Sequence, residues 1–275
     1  MTAGAADSAA PGTAVRLARL LQFGDSMFPV GGFSFSGGLE SAIQKGLVVD
    51  VDTLQAFART AVEQAALGDG IALICAHRAA TAGDLEELAR IDHQVYARKL
   101  SGETRTMTVR MGKKFTEMGA GIIAAPLLGT WLERIKQGAT PGCYPVALAV
   151  NFAVQGLPDR DAFAVHQYGV AAMILGAALR LMKVSHVDTQ RMLFELNGEA
   201  EASLALWRLM GTVCEGPKAA IARDTAANWL TVGGQTGFSD WVIAGDLSLV
   251  GVGDGTPARP AFALAPNRPN PFNPS

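Results

Sequence analysis

The sequence predicts an all-α protein: a single helical-bundle domain of about ten helices with short connections. Apolar residues recur at intervals of three and four along most of the chain, and no run alternates apolar and polar residues convincingly before residues 241–252. We expect this domain to occupy residues 13–235. A disordered leader is expected at residues 1–12, and a proline-rich, extended or disordered tail at residues 236–275.

Cap and stop residues place the helices of the first half of the chain. Carboxylate and hydroxyl side chains satisfy free N–H groups where a helix starts, and glycine adopts the left-handed conformation that often ends one. Helices are therefore expected over residues 13–23, 38–45, 52–65, 71–82, 85–100 and 101–118. The predicted starts are Thr13, Asp50 or Asp52, Asp84 and Ser101, and the predicted stops are Gly46 and Gly83. Gly68 and Gly70 predict a break between the third and fourth helices.

The second half shows the same periodicity. Pro126 suits the first turn of a helix, because a proline there loses no helical hydrogen bond. Helices are expected over residues 127–135, 145–155, 161–183, 187–196, 199–212 and 217–231. Residues 241–252 are β-like, and the pattern does not place them in the fold.

Composition excludes one class of function. The chain has 275 residues, 49% of them apolar, which is enough for a substantial core. The net charge is −2, and no cluster of basic residues exceeds the pair Lys113 and Lys114. A nucleic-acid-binding protein would need a basic face, so this class is excluded.

Cysteine usage and hydropathy indicate a cytoplasmic protein without a membrane span. The three cysteines lie far apart with no CxxC pair, which favours free, mostly buried thiols in a reducing compartment. No charged segment followed by an apolar run opens the chain, so no signal peptide is expected. The most apolar windows, residues 121–132, 144–157 and 168–179, are each shorter than the roughly 18 to 20 residues that a span requires.

Residues 23–40, FGDSMFPVGGFSFSGGLE, are the most distinctive part of the sequence; we call them the signature loop. Five glycines and one proline indicate sharp turns, while four phenylalanines indicate that the loop packs against a core or a partner. A phosphate-binding loop is excluded because Leu39 and Glu40 follow the last glycine, where Lys and Ser or Thr are required. The dinucleotide-binding fingerprint and the nucleophile elbow are also absent.

The segment PVGGFSFSGGLE, residues 29–40, resembles the N-terminal signature of the UreF family of urease accessory proteins. Further matches are Glu-Thr-Arg at residues 103–105 with Met-Gly at 111–112, Tyr-Pro-Val-Ala at 144–147, and the segment around residues 179–191. Together they span residues 15 to about 230. Cys143 stands where the family usually has histidine, Lys-Val-Ser-His at 183–186 replaces Pro-Leu-Gly-Gln, and the C-terminal tail departs from the family pattern.

The resemblance implies an all-helical homodimer that acts as a chaperone without catalytic chemistry. Such proteins bridge a second accessory protein, UreD (also called UreH), and the GTPase UreG, regulate GTP hydrolysis, and help to load nickel into the urease apoenzyme. In the family the C-terminal tail helps to dock a partner accessory protein, so the divergent tail implies either the loss of this contact or a partner that has changed with it.

Several residues are candidates for partner binding, most of them through the motifs that resemble the family. They are Phe33, Ser34, Ser36, Glu40, Arg105, Tyr144, Arg180 and Gln190. For some, a structural role is an open alternative: Glu40 would suit the start of a helix and Arg180 the end of one. The hydroxyls of Ser34 and Ser36 would satisfy backbone groups of the loop.

No permanent metal site or cofactor is expected. The four histidines are dispersed, and no pair has a metal-ligand spacing. Cys143 and His186 are candidates for transient nickel contact, with a buried thiol as the alternative for Cys143. Met107, Met111 and Met118 form a stripe at helical spacing, which core packing explains.

Three functional hypotheses follow. The first is a urease-maturation chaperone that acts by protein–protein contact. The second is a helical enzyme or small-molecule binder with the signature loop as a lid. The third is a structural oligomerisation module.

Overall fold

The structure, a computed structural model, describes residues 12–25, 28–209, 222–224 and 229–231. For Phe33, residues 200–209 and the last two segments it describes the backbone alone. The all-α prediction is confirmed: these residues contain ten α-helices and one two-stranded ladder. Residues 1–11 of the leader predicted over residues 1–12, the tail at 236–275 and the β-like residues 241–252 lie outside the described residues.

The helices follow one another with short connections. In chain order they are α1 (Thr13–Gly24), α2 (Leu39–Gln44), α3 (Val51–Ala65), α4 (Ile71–Ala82), α5 (Leu85–Arg98), α6 (Gly102–Ile122), α7 (Pro126–Lys136), α8 (Tyr144–Ala153), α9 (Asp159–Leu181) and α10 (His186–Leu209). A 3-10 turn, Gly32–Ser34, lies in the signature loop, and β1 (Ala222–Asp224) pairs antiparallel with β2 (Trp229–Thr231).

Most predicted caps are confirmed. Asp50 accepts from the backbone N–H of Thr53 at 2.9 Å, and the Thr53 hydroxyl accepts in return from the N–H of Asp50 at 3.0 Å. The side chains of Asp84 and Ser101 accept in the same way at the starts of α5 and α6. Thr13 is not a cap: it is the first residue of α1, and Gly12 precedes it without a side-chain hydrogen bond.

The predicted break at Gly68 and Gly70 is wrong, because a π-helical turn over Ala66–Gly70 carries α3 into α4. Its last glycine permits a close approach, since a Cβ at Gly70 would lie 2.6 Å from the ring of Phe163. The predicted break between residues 196 and 199 is also wrong, because α10 continues through Asn197 and Gly198 to Leu209.

The helix predicted over residues 217–231 is wrong where the structure describes that segment. Residues 222–224 and 229–231 are strands, with Ala222 opposite Thr231. Aromatic and β-branched residues such as Trp229 and Thr231 favour a strand when a partner strand pairs with their backbone groups. Periodicity did not reveal that partner.

The core consists of two clusters. The first surrounds the largely buried helices α4 and α8 and contains the buried rings of Phe23, Phe115, Trp131, Phe152 and Phe163. The second joins α2, α3, α9 and α10. Helix α9 contributes to both clusters, through Phe163 to the first and through Ile174 and Leu175 to the second. This helix therefore links the two halves of the core.

The apolar length of α9 exceeds the expectation from the sequence. Among the described residues, α9 is one helix, 23 residues in length, that is long and apolar enough to cross a bilayer. The apolar windows of the sequence are all shorter than a membrane span, so no such helix was expected. Half of its most apolar window is buried inside the fold, as in a core helix. Near its start, Asp161 forms an ion pair with Arg16 of α1 at 2.5 Å.

The expectation of free thiols holds for one described cysteine. Cys143 is free and buried. Cys75 is disulfide-bonded, so the expectation is wrong for this residue. Sequence spacing indicates which cysteines are neighbours along the chain and not which ones meet in the fold.

Candidate functional site

The signature loop, α6, the start of α8 and α9 enclose a cavity of about 160 Å³. Its walls include the aromatic rings of Phe23, Phe28, Phe115 and Tyr144 and the thioethers of Met107, Met111 and Met173. The exposed residues Asp25, Tyr168 and Arg180 also border it, so the cavity reaches the surface.

The signature loop is ordered by aromatic packing. The rings of Phe23 and Phe28 lie 5.2 Å apart, and Phe28 lies 5.2 Å from Phe115 of α6. Gly31 and Gly38 adopt positive φ angles of 78° and 89°, which side-chain-bearing residues rarely tolerate. For the described residues of the signature loop, the sequence-based interpretation of a packed loop between two helices is therefore confirmed.

Gly112 allows α6 to approach the start of α8. A Cβ at this position would lie 2.1 Å from the carbonyl oxygen of Gly142 and 2.6 Å from the backbone nitrogen of Tyr144. Close by, the N–H of Tyr144 donates to the Thr108 hydroxyl at 3.2 Å. The Tyr144 ring then meets Phe115 edge-on at 5.6 Å. Gly112 thus lets Tyr144 reach the cavity wall.

Asp92 of α5 holds the segment before α8, and the sequence analysis missed it. The fully buried carboxylate accepts from the Thr140 hydroxyl at 2.5 Å and from the backbone N–H groups of Gly142 at 2.5 Å and Cys143 at 2.7 Å. Burial raises the pKa of Asp92, while these hydrogen bonds act in the opposite direction. The available signal was an aspartate directly after Ile91 on the apolar stripe of α5.

His166 of α9 lies on the cavity wall and is 2% exposed. Its ring is roughly parallel to that of Tyr144, with centroids 6.4 Å apart, and the Gln167 amide lies 3.3 Å from Nδ1. Asp69 Oδ2 stands 4.0 Å from Nε2 and accepts from Lys99 Nζ at 2.5 Å. Burial lowers the pKa of His166 to about 4, so the imidazole is neutral near pH 7.

The candidate partner-binding residues divide into two groups. Tyr144 and Arg180 lie on the cavity. The others lie elsewhere: Arg105 donates to the Lys99 carbonyl at 2.7 Å, Ser34 donates to the Gly31 carbonyl at 3.3 Å, Ser36 is half-buried, and Glu40 and Gln190 are exposed. The side chain of Phe33 lies outside the described residues.

The two candidate nickel contacts differ in environment. Cys143 is buried directly before α8, and burial together with the Asp92 carboxylate raises the pKa of its thiol. His186 is exposed at the start of α10. In the described part of the chain, no group of three or more His, Cys, Asp or Glu side chains is arranged to hold a metal ion.

Comparison with known proteins gives one consistent result. The family model UreF matches residues 48–197. Proteins named urease accessory protein UreF from Yersinia enterocolitica (serotype O:8), Yersinia pseudotuberculosis (serotype IB) and Yersinia pestis (strain Angola) are each 53% identical over 185 residues. Each alignment covers 67% of this chain and 81% of the relative.

Proposed function

Since this chain belongs to the UreF family of urease accessory proteins, we propose that it serves urease maturation as a non-enzymatic chaperone. In this proposal it acts in the cytoplasm as a homodimer and bridges UreD (UreH) and the GTPase UreG. The assembly regulates GTP hydrolysis, and nickel passes through it to the urease apoenzyme without being held permanently. The resemblance of the signature loop and of the later motifs to the family supports these roles.

The observation that carries the proposal is the convergence of these motifs around one cavity. The signature loop supplies Phe28 and Gly32, α6 supplies Met111, α8 supplies Tyr144 and α9 supplies Arg180. These segments are far apart in sequence. A surface that combines them suits the recognition of another protein, because exposed polar residues around an apolar centre are typical of interfaces.

The test is size-exclusion chromatography with light scattering. The chain is measured alone, then with its cognate UreD, then with UreG and GTP. A dimer that grows stepwise into a larger complex supports the proposal. A monomer that binds neither protein would show that the family fold persists here without the family function.

A matched pair of variants tests whether the surface around the cavity binds the partner proteins. Arg180→Ala removes a cation that borders the cavity, and Arg160→Ala removes an exposed cation at the other end of the same helix. We expect weaker complex formation for Arg180→Ala alone. Equal behaviour of the two variants would place the docking surface elsewhere.

Nickel contact is tested separately. Cys143→Ala and His186→Ala are compared for nickel transfer to the urease apoenzyme in the assembled complex. Because the Cys143 thiol is buried and held protonated, a role for Cys143 requires the segment before α8 to open. A loss of transfer in either variant, with complex assembly unchanged, supports a transient contact at that residue.

The cavity also favours the second hypothesis, a small-molecule binder. The signature loop contributes Phe23, Phe28 and Gly32 to its wall, as a lid would. Ligand-induced thermal stabilisation of the chain alone would support this function, because a ligand that binds only the folded state raises stability.

A further inference from the structure

One donor on the cavity wall makes no hydrogen bond within the described part of the chain. The Gln167 amide N–H points to His166 Nδ1 at 3.3 Å, which leaves the ring hydrogen of the neutral imidazole on Nε2. Asp69 Oδ2 is 4.0 Å from Nε2, too far for a direct hydrogen bond. Nε2 therefore has no acceptor among the described residues, and a ligand in the cavity that accepts from it would gain a hydrogen bond.

The separation of these two atoms selects the polar group of a ligand. A hydroxyl oxygen both accepts and donates. His166 Nε2 and Asp69 Oδ2 are 4.0 Å apart, so one oxygen atom can lie about 2.8 Å from both and form a hydrogen bond with each. The hydroxyl would accept from His166 and donate to Asp69, whose Oδ2 already accepts from Lys99. A methyl group in the same place would make neither bond.

The remaining walls select the body of the ligand. Phe23, Phe28, Phe115 and Tyr144 form a continuous row of rings with neighbouring centroids 5.2 to 5.6 Å apart. Aromatic rings favour offset or edge contacts with another ring, and thioethers such as that of Met111 also favour ring edges. The volume of about 160 Å³ is close to that of engineered cavities of about 150 Å³ that bind benzene.

We propose that this cavity binds a compact phenolic ring, whose hydroxyl bridges His166 and Asp69 and whose ring lies among Phe28, Phe115 and Tyr144. This property goes beyond the proposed chaperone function. The binding test uses this chain alone, without a partner protein. A failure of the ligand proposal would therefore not contradict the chaperone proposal, and the reverse also holds.

The test compares two probes of nearly equal shape by isothermal titration. p-Cresol carries the hydroxyl, and p-xylene replaces it with a methyl group. We expect p-cresol to bind at least about tenfold more tightly, since two hydrogen bonds separate the probes. Equal affinities, or no saturable binding of p-cresol, would overturn the proposal. N-acetyltyrosine amide forms a third arm: its binding indicates a tyrosine of another chain as the source of the ring, and its exclusion indicates a free phenol.

Variants separate the hydroxyl site from the cavity. His166→Phe keeps a ring beside Tyr144 and removes Nε2, so the preference for p-cresol over p-xylene should fall to near unity. Gly169→Leu fills the cavity, because Gly169 lies on its wall and no atom stands within 4 Å of its Cβ position. We expect it to lose p-cresol binding.

A matched control completes the design. Gly129→Leu on the exposed face of α7 also adds a leucine where the Cβ position is open, but it lies off the cavity and should leave p-cresol binding unchanged. Unchanged p-cresol affinity in a folded Gly169→Leu protein would refute the site.

Discussion

The substitution Gly112→Ala tests how α6 and α8 meet. An alanine Cβ would lie 2.1 Å from the Gly142 carbonyl oxygen, 2.5 Å from the Cys143 carbonyl carbon and 2.6 Å from the Tyr144 nitrogen. All three atoms belong to the backbone, so no side-chain rotation relieves the clash. The segment before α8 would have to move by roughly 1 Å, in an interior that is packed almost without voids.

The expected cost follows from two opposing effects. Overpacking of this kind costs about 3 kcal/mol at the upper end of its usual range. Alanine returns about 1 kcal/mol, because it favours the helix more than glycine does. The net expectation is a loss of about 2 kcal/mol in the free energy of unfolding.

Urea unfolding followed by circular dichroism measures this loss. The control is Gly129→Ala on α7, where the residue is exposed and no atom lies within 4 Å of the Cβ position. At this position only the higher helix propensity of alanine changes the stability, and we expect the free energy of unfolding to increase by up to about 1 kcal/mol. The two variants should therefore shift the unfolding midpoint in opposite directions. A midpoint for Gly112→Ala at or above that of the unsubstituted chain would refute the reasoning.

Three further predictions concern single side chains. Asp92→Ala leaves the buried N–H groups of Gly142 and Cys143 without an acceptor. It should lower the free energy of unfolding in urea by about 3 to 5 kcal/mol, and Asp92→Asn should lower it by less. Near-native stability of Asp92→Ala would contradict this prediction. Burial lowers the pKa of His166 from 6.5 to about 4, so the unfolded chain binds more protons between these values. The contribution of His166 to the free energy of unfolding is therefore complete above pH 6.5 and should decrease by about 3 kcal/mol as the pH falls through 4. The His166→Phe variant should lack this decrease. The lowered pKa of His77 acts in the same direction in both proteins. Glu40→Ala removes an exposed carboxylate from the first turn of α2 and should weaken complex formation in light scattering without changing the unfolding midpoint. Unchanged partner affinity would show that Glu40 takes no part in partner binding.

Helix boundaries were predictable where a signal lies within one turn of the residues it controls. Asp50 with Thr53, Asp84 with the N–H of Glu87, and Gly83 at the end of α4 all act over three or four positions. Boundaries failed where packing overrode the local signal. Gly70 lies in a π-helical turn against Phe163, and Gly198 lies within the continuous helix α10.

The candidate site was predictable in part. The sequence singled out the signature loop, Tyr144 and Arg180, and all three border the cavity. It missed Asp92, and it included His166 only among four dispersed histidines without a metal-ligand spacing. Asp92 acts on residues about 50 positions away, and His166 faces Asp69 from another helix. Sequence spacing carries no information about such distances.

The sequence by itself determined the all-α class, most helix ends and the family resemblance, because periodicity, caps and motifs are local properties of the chain. Only the tertiary structure decided what those elements enclose. The approach of α6 to α8 at Gly112, the carboxylate of Asp92 beneath the segment before α8, and the rings around the cavity each depend on atoms from separate helices. Packing brought them together, and steric fit and burial gave each its role.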